Sequence, residues 1–324
     1  MPSITTHYIF AKEVLKKASK NIQKNIKGSE DIYYTFAQSH DYLYYYTFNI
    51  FNKKKINKLG HTAHRQKTQD YILNIIKEII KNHLENNKQV VAYLYGIITH
   101  YCLDTTCHPF IFYKTGVWRK NKETAKYRGE HNHMERDLDS ITYEKYTNKK
   151  YNQCNISKEI IKKPIFSKEL NEIISNVYYQ TYNIKNVSKY IKKGIRDAKI
   201  INSFLINDHL GIKFKIYKLI DKITKNKYGN LKSYSTYNKE INIYFLNNEH
   251  KEWNHPSFPK IKYTYSFDDL FNISINKTLK IIEEINKVLY ENNEIDNLRN
   301  FIPNLDYSTG IIIEESRKMK YFAK

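Results

Sequence analysis

Apolar residues recur at helical spacing along most of this chain. Between residues 4 and 27, Ile9, Val14, Leu15, Ala18, Ile22 and Ile26 form one stripe, which predicts a helix stopped by Gly28. Residues 31–51 lose that period in a run of aromatics that includes Tyr33, Phe36, Tyr42, Tyr44, Tyr45, Tyr46 and Phe48. A short helix or an irregular loop packed on the core is expected there, followed by a Lys/Asn-rich loop to Gly60. The period returns from Thr68 to Leu84, where Ile72, Ile75, Ile76, Ile79 and Ile80 share a face. Lys88 to Cys107 is apolar nearly all round, which predicts a buried central helix. Pro109 should end it, because a proline pushes the preceding residue out of the α region.

Beyond a polar loop over 113–129, a helix is predicted from Glu130 to Tyr146, and amphipathic helices over 167–183, 185–206 and 209–225. Residues 226–266, with Gly229, Pro256 and Pro259, read as irregular. Phe267 to Asn292 is a last long helix, with Asp268 and Asp269 suited to its N-terminal dipole. Nine Gly and six Pro in 324 residues are too few for an all-β chain of many tight turns. No repeat and no compositional break divides the sequence, so the expectation is one all-α, multi-helix domain over 1–324.

Composition narrows the class. Hydrophobic residues make up 41 % and aromatics 15 %, with a mean hydropathy of -0.69, which excludes a disordered chain. The net charge of +21 would ordinarily point to nucleic acid or an anionic membrane. Lys, Asn, Ile and Tyr, which share AT-rich codons, dominate even the loops, so the excess reads first as compositional. A diffuse positive field would still concentrate phosphate-bearing substrates. Three cysteines without disulfide spacing imply no disulfide framework. The start MPSITTHYIF lacks the pattern of a signal peptide, and the most apolar run, Val90 to Ile98, is too short to span a membrane. A cytoplasmic protein, able to associate peripherally with membranes, is expected.

The candidate chemistry lies on the central helix. His100, Asp104 and His108 follow one another at intervals of four residues, which puts their Cβ atoms about 5–6 Å apart on one face. Burying two imidazoles and a carboxylate among Leu94, Ile97, Ile98 and Leu103 is costly unless they are paired or hold a metal. His131 and Glu135 repeat the spacing on the next helix. Gly60-His61-Thr62-Ala63-His64 offers two more imidazoles, and His7 and Asp41 sit in apolar, aromatic surroundings near the start. Imidazole and carboxylate without thiolate favour zinc of the hydrolytic kind, with open positions for water. Cys102 and Cys107 read as core residues. Eight candidate ligands exceed the needs of one tetrahedral ion, so a cluster of two or three zinc ions is expected, built largely by residues 1–140.

The order of these elements resembles the zinc-dependent phospholipase C family, which shares a fold group with the P1/S1 single-strand nucleases. The resemblance rests on Thr6-His7, Asp41, Gly60-x-x-x-His64, His100-x-x-x-Asp104, His108-Pro109 and His131-x-x-x-Glu135 followed by Asp139. It extends weakly to Trp253-Asn254-His255-Pro256 and Ser266-Phe267-Asp268-Asp269. It implies an all-helical fold with a trinuclear zinc site in a cleft. His64, His100 and Asp104 would hold one ion, with Asp41 close by as ligand or general base. His108, His131 and Glu135 would hold a second. His7 would bind a third, bridged by Asp104, and the amine of Pro2 would substitute for a missing terminal ligand. His61 competes with His64, whose distance from Gly60 fits better, while His133 points about 200° around the helix from His131. His40 is an extra imidazole beside Asp41.

The implied activity is hydrolysis of a phosphodiester, foremost a phospholipid, by an activated water that Asp41 positions or deprotonates. Tyr44, Tyr45, Tyr46 and Phe48 are candidates for an aromatic cleft wall. Two other readings compete: a single-strand nuclease of the same fold group, and a non-catalytic, metal-stabilised domain that binds anionic surfaces.

Overall fold

Residues 4–237 and 240–323 are described by a computed structural model, and they build an all-α fold around one long helix. In chain order the helices are α1 (Ile4–Lys17), α2 (Lys20–Asn25), α3 (Glu30–Phe36), α4 (Ile50–Ala63), α5 (Thr68–Lys81) and α6 (Lys88–Thr115). They continue with α7 (Glu130–Thr147), α8 (Lys168–Tyr182), α9 (Val187–Ile201), α10 (Ile212–Thr224) and α11 (Phe267–Tyr290). The strands among the described residues are β1 (Trp253–Asn254) and β2 (Lys262–Tyr263), paired antiparallel.

Helix α6 is the axis of the molecule. Every residue from Val90 to Asp104 is buried, because α1, α3, α5, α7, α8 and α11 all pack on it. Burial on every side explains why its sequence shows no polar stripe. Helix α3 lies especially close: a Cβ at Gly96 would stand 2.7 Å from the Tyr33 carbonyl oxygen, so only glycine permits this approach.

Contrary to the sequence expectation, Pro109 does not end α6, which runs on to Thr115. The missing N–H frees the Thr105 carbonyl, normally a cost of about 3 kcal/mol. Two features offset it. Phe110 and Ile111, just beyond the proline, are buried, and Phe110 packs edge-on against Trp253. The C-terminal segment also lays Gly310 against the freed carbonyl so closely that a Cβ there would be 2.2 Å from the Thr105 oxygen.

Three further boundaries differ from the pattern. The first predicted helix breaks at Ser19, whose Oγ accepts from the Ile22 amide and starts α2. The stretch expected as a Lys/Asn-rich loop is α4, begun by the Asn49 side chain accepting from the Asn52 amide. Among its described side chains the buried apolar ones are Ile56, Leu59 and Ala63, set among lysines that favour helix. Helix α9 ends at Ile201 and passes into a π turn, Asn202–Ile206. The described residues of 226–266 are irregular apart from short 3-10 turns and the β1–β2 ladder. A capping box at Ser266 and Asp269 fixes the start of α11. The chain then returns beneath α6, bringing Tyr307 into the interior.

Candidate metal centre

One face of α6 presents His100, Asp104 and His108, one turn apart. Four other segments meet it: α1 brings His7, the 3-10 turn Ser39–Leu43 brings Asp41, the end of α4 brings His64, and α7 brings His131 and Glu135. Their donor atoms converge. His7 Nε2 lies 3.2 Å from Asp104 Oδ1, and His100 Nε2 lies 3.4 Å from Asp104 Oδ2. His64 Nε2 is 3.1 Å from Asp41 Oδ1 and 3.3 Å from His100 Nε2. On the other side, His108 Nε2 and His131 Nε2 stand 3.4 and 3.0 Å from Glu135 Oε1. The eight side chains sort into three groups with donor atoms close enough to share an ion: His64/His100/Asp104 and His7/Asp41/His100, which have His100 in common, and His108/His131/Glu135.

The rings are held for this purpose by their second nitrogens. Nδ1 of His64 faces the Gly60 carbonyl oxygen at 2.7 Å, Nδ1 of His100 that of Ala37 at 3.2 Å, and Nδ1 of His108 that of Tyr307 at 3.0 Å. A carbonyl can only accept, so each Nδ1 carries a proton, and Nε2 is the nitrogen that turns a lone pair toward the centre once the ring is neutral. Asp41 is steadied by Gln38, whose Nε2 donates to Oδ2 at 3.0 Å.

Protonation follows from the packing. Burial holds His100 down to about 4, against the pull of Asp104 and Asp41, so its ring is neutral at pH 7. Burial also opposes the charged form of His108, but Asp104 and Glu135 outweigh it and push the ring up to about 9. Burial would likewise raise Asp104, yet His108 and His100 hold its carboxyl far below the usual range.

These residues fit zinc. Asp104 Oδ2 and Glu135 Oε2 are buried without a hydrogen-bond partner, among inward-facing imidazole nitrogens. Such a set of buried carboxylates and imidazoles is costly alone and is satisfied by a cation. Three carbonyl-oriented rings turning Nε2 inward are the arrangement that zinc histidines require.

Six of the eight donors form the floor of an open cleft of about 360 Å³. Asp41, His64, Asp104, His108, His131 and Glu135 line it, with Tyr44, His61, Arg65 and Phe112 on its walls. Of the competing histidines, His64 joins the donor groups, whereas His61 lies on the wall, 3.3 Å from the Tyr44 hydroxyl. His133 turns away to Asp137 and Asn230. His40 is buried behind the centre with Nδ1 on the Tyr178 hydroxyl, and burial keeps it neutral. Asp139 accepts from the amide and hydroxyl of Thr6, fixing the start of α1 just before His7. Cys102 and Cys107 are buried outside the donor groups. Among the aromatics, Tyr44 borders the cleft, Tyr45 and Tyr46 are core, and Phe48 is exposed. Pro2 lies outside the described residues.

Tyr307, Arg65 and Phe112 were not anticipated. Tyr307 packs its ring on His64 and His100. Arg65 directly follows a candidate ligand, and Phe112 lies one turn beyond His108 on α6, a spacing that could have marked it had the helix been carried through Pro109.

A family model for zinc dependent phospholipase C matches residues 6–196. No curated protein and no solved structure matches the chain. The matched stretch covers more than half of the chain and contains all eight candidate ligands, and the chain therefore belongs to the zinc-dependent phospholipase C family.

Proposed function

We propose that this cleft hydrolyses a phosphodiester, with a phospholipid as the preferred substrate class. One observation carries the reading: six of the eight candidate donors, including the whole His108/His131/Glu135 group, line a single open cleft, with His7 and His100 buried behind them. Closed donor sets suit structural zinc, while catalytic sites keep positions free for water and substrate. Zinc bound there would neutralise phosphate oxygens and make an adjacent water more acidic.

The chain's own residues do the rest. Asp41, held by Gln38 and facing the cleft, is placed to orient the attacking water and take its proton. Arg65, on the cleft wall and free of ion pairs with described carboxylates, would draw the phosphate in and hold it. Tyr44 and Phe112 give the cleft apolar walls suited to the glycerol end of a lipid.

Parallel assays with added zinc on short-chain phosphatidylcholine and on single-stranded DNA test the assignment. Diacylglycerol release without DNA cleavage supports the lipid reading. Cleavage of DNA alone would make the protein a nuclease. Activity on neither substrate, with chelation still lowering the melting temperature, would leave a metal-stabilised binding domain.

A further inference from the structure

Helix α10 inverts the usual logic of a helix on a protein surface. The residues it buries, Phe214 and Asp221, lie on the face turned to the rest of the molecule. On the opposite face Ile212, Ile216, Leu219 and Ile223 recur at intervals of three and four residues and are 58, 51, 58 and 72 % exposed. At about 100° per residue the four fall within one narrow stripe that points straight at solvent. The preceding segment extends it with Phe204 and Leu210, 72 and 77 % exposed. Isolated exposed apolar residues are ordinary, but a continuous stripe of this size marks a surface that is covered in use.

The charges beside the stripe say what covers it. Lys215 and Lys222 flank one edge, about 60–80° around the helix, and neither makes an ion pair among the described residues. Lys213 lies on the other edge, turned back onto the carbonyls of Ser203 and Asn207. The carboxylate of the helix, Asp221, is buried and accepts from the amides of Leu231 and Lys232. Nearby Glu240 is engaged by Lys218 and Lys232. An outward apolar stripe bordered by lysines is the surface of a helix that lies flat in a lipid interface.

We propose that α10 docks the protein on a bilayer containing anionic lipid, its isoleucines and leucine entering the acyl boundary and its lysines meeting the headgroup charge. Its place in the fold suits an enzyme acting there. Gly229, just past α10, packs on Gly129, just before α7, so closely that a Cβ at Gly129 would be 2.8 Å from the Gly229 Cα. Asn230 also meets His133. The docking helix is thus fastened to the turn that begins α7 and carries His131 to the cleft. The inference deepens the lipid reading above and rests on it only for its purpose, because docking can be measured without catalysis.

The test is sedimentation of the full, zinc-loaded chain with vesicles of phosphatidylcholine alone and of phosphatidylcholine with phosphatidylserine. Partition onto the mixed vesicles is expected, weakened by salt. Ile216→Glu/Leu219→Glu should reduce it at least about tenfold, and Lys222→Gln about fivefold. Both changes lie at exposed positions, so circular dichroism and hydrolysis of monomeric short-chain phosphatidylcholine should stay as in the wild type. Equal partition of wild type and double variant would overturn the proposal. So would absence of vesicle binding, including the case in which the double variant instead abolishes self-association, which would make the stripe a contact between copies. Loss of short-chain hydrolysis with vesicle binding retained would overturn the lipase reading and leave the docking surface standing.

Discussion

The Tyr307 carbonyl oxygen accepts from His108 Nδ1 at 3.0 Å, which ties the C-terminal segment to the central helix at the candidate metal centre. The same residue donates its amide to the His64 carbonyl at 2.9 Å, so one peptide segment braces ligands from two helices. The Tyr307 ring is buried against His64 and His100, while its hydroxyl has no hydrogen-bond partner. Tyr307→Phe should therefore be neutral or slightly stabilising, since it removes an unsatisfied buried group. Tyr307→Ala should cost about 3–5 kcal/mol and loosen zinc binding, because the backbone that aims His108 would shift. Urea unfolding and zinc titration of the two variants check this pair of outcomes.

Metal removal should be strongly destabilising. Without a cation, the carboxylates and imidazoles of the centre stay buried with unpartnered atoms. Chelation is expected to lower stability by about 4 kcal/mol where free zinc exceeds its dissociation constant a thousandfold. Elemental analysis should return at least two zinc ions per chain, and fewer would contradict a cluster. Loading should also weaken in acid. His108 titrates at about 9 in the metal-free protein, so below that value zinc must displace its proton, and affinity should fall about tenfold per pH unit for each proton released. A chelator-competition series between pH 6 and 8, run with wild type and Glu135→Gln, measures this.

The central helix with its row of candidate ligands was legible because two independent signals coincided on it. His100, Asp104 and His108 share a face by local spacing alone, and the apolar residues around them announced burial. His7, Asp41 and His64 reached the centre only through tertiary packing, so resemblance, not periodicity, pointed to them. Tyr307 acts through its carbonyl, a group every residue carries, and no sequence signal distinguishes it. Pro109 misled because a local rule about proline gave way to buried packing on both sides of it. Helix α4 was hidden because its buried apolar residues, Ile56, Leu59 and Ala63 among those described, are sparse beside its lysines and asparagines. For α10 the amphipathic period was plain, but sequence does not say which way such a stripe points.

The turn carrying Asp41 is pressed from behind by α9. A Cβ at Gly194 would sit 2.0 Å from the carbonyl oxygen of Tyr42, the residue after Asp41. Alanine is the better helix former by about 1 kcal/mol, yet the collision is with backbone that cannot swing aside. Gly194→Ala should thus destabilise by about 1–3 kcal/mol and lower kcat by moving Asp41, with zinc held by the α7 ligands unaffected. Thermal melts, kinetics and zinc analysis on one preparation separate these effects.

The cap of α11 gives a pH-dependent prediction remote from the metals. Ser266 Oγ accepts from the Asp269 amide at 3.1 Å, and the Asp269 carboxylate accepts from the Ser266 amide at 2.8 Å. The Ser266 backbone and side-chain hydrogen bonds hold Asp269 below its ordinary value of 3.8. A depressed carboxyl contributes stability that is present above the unfolded value and lost as pH falls through the folded one. Ser266→Ala should cost about 1 kcal/mol at pH 7, and the gap to wild type should narrow below about pH 4. Parallel urea titrations across that range check both.

Asp41 is the residue whose role most needs separating from its neighbours, because it touches ligands and cleft at once. Its Oδ1 lies 3.1 Å from His64 Nε2 and its Oδ2 accepts from Gln38. If it takes the proton of the attacking water, Asp41→Asn should lower kcat about 10²–10⁴-fold with KM and zinc content nearly unchanged. An amide keeps the shape and one acceptor oxygen, so gross misfolding is not expected. Gln38→Leu leaves the carboxylate in place but unsteadied, and should lower kcat by a smaller factor. Loss of zinc together with activity in Asp41→Asn would make the residue a ligand first, and an unchanged kcat would remove it from the chemistry.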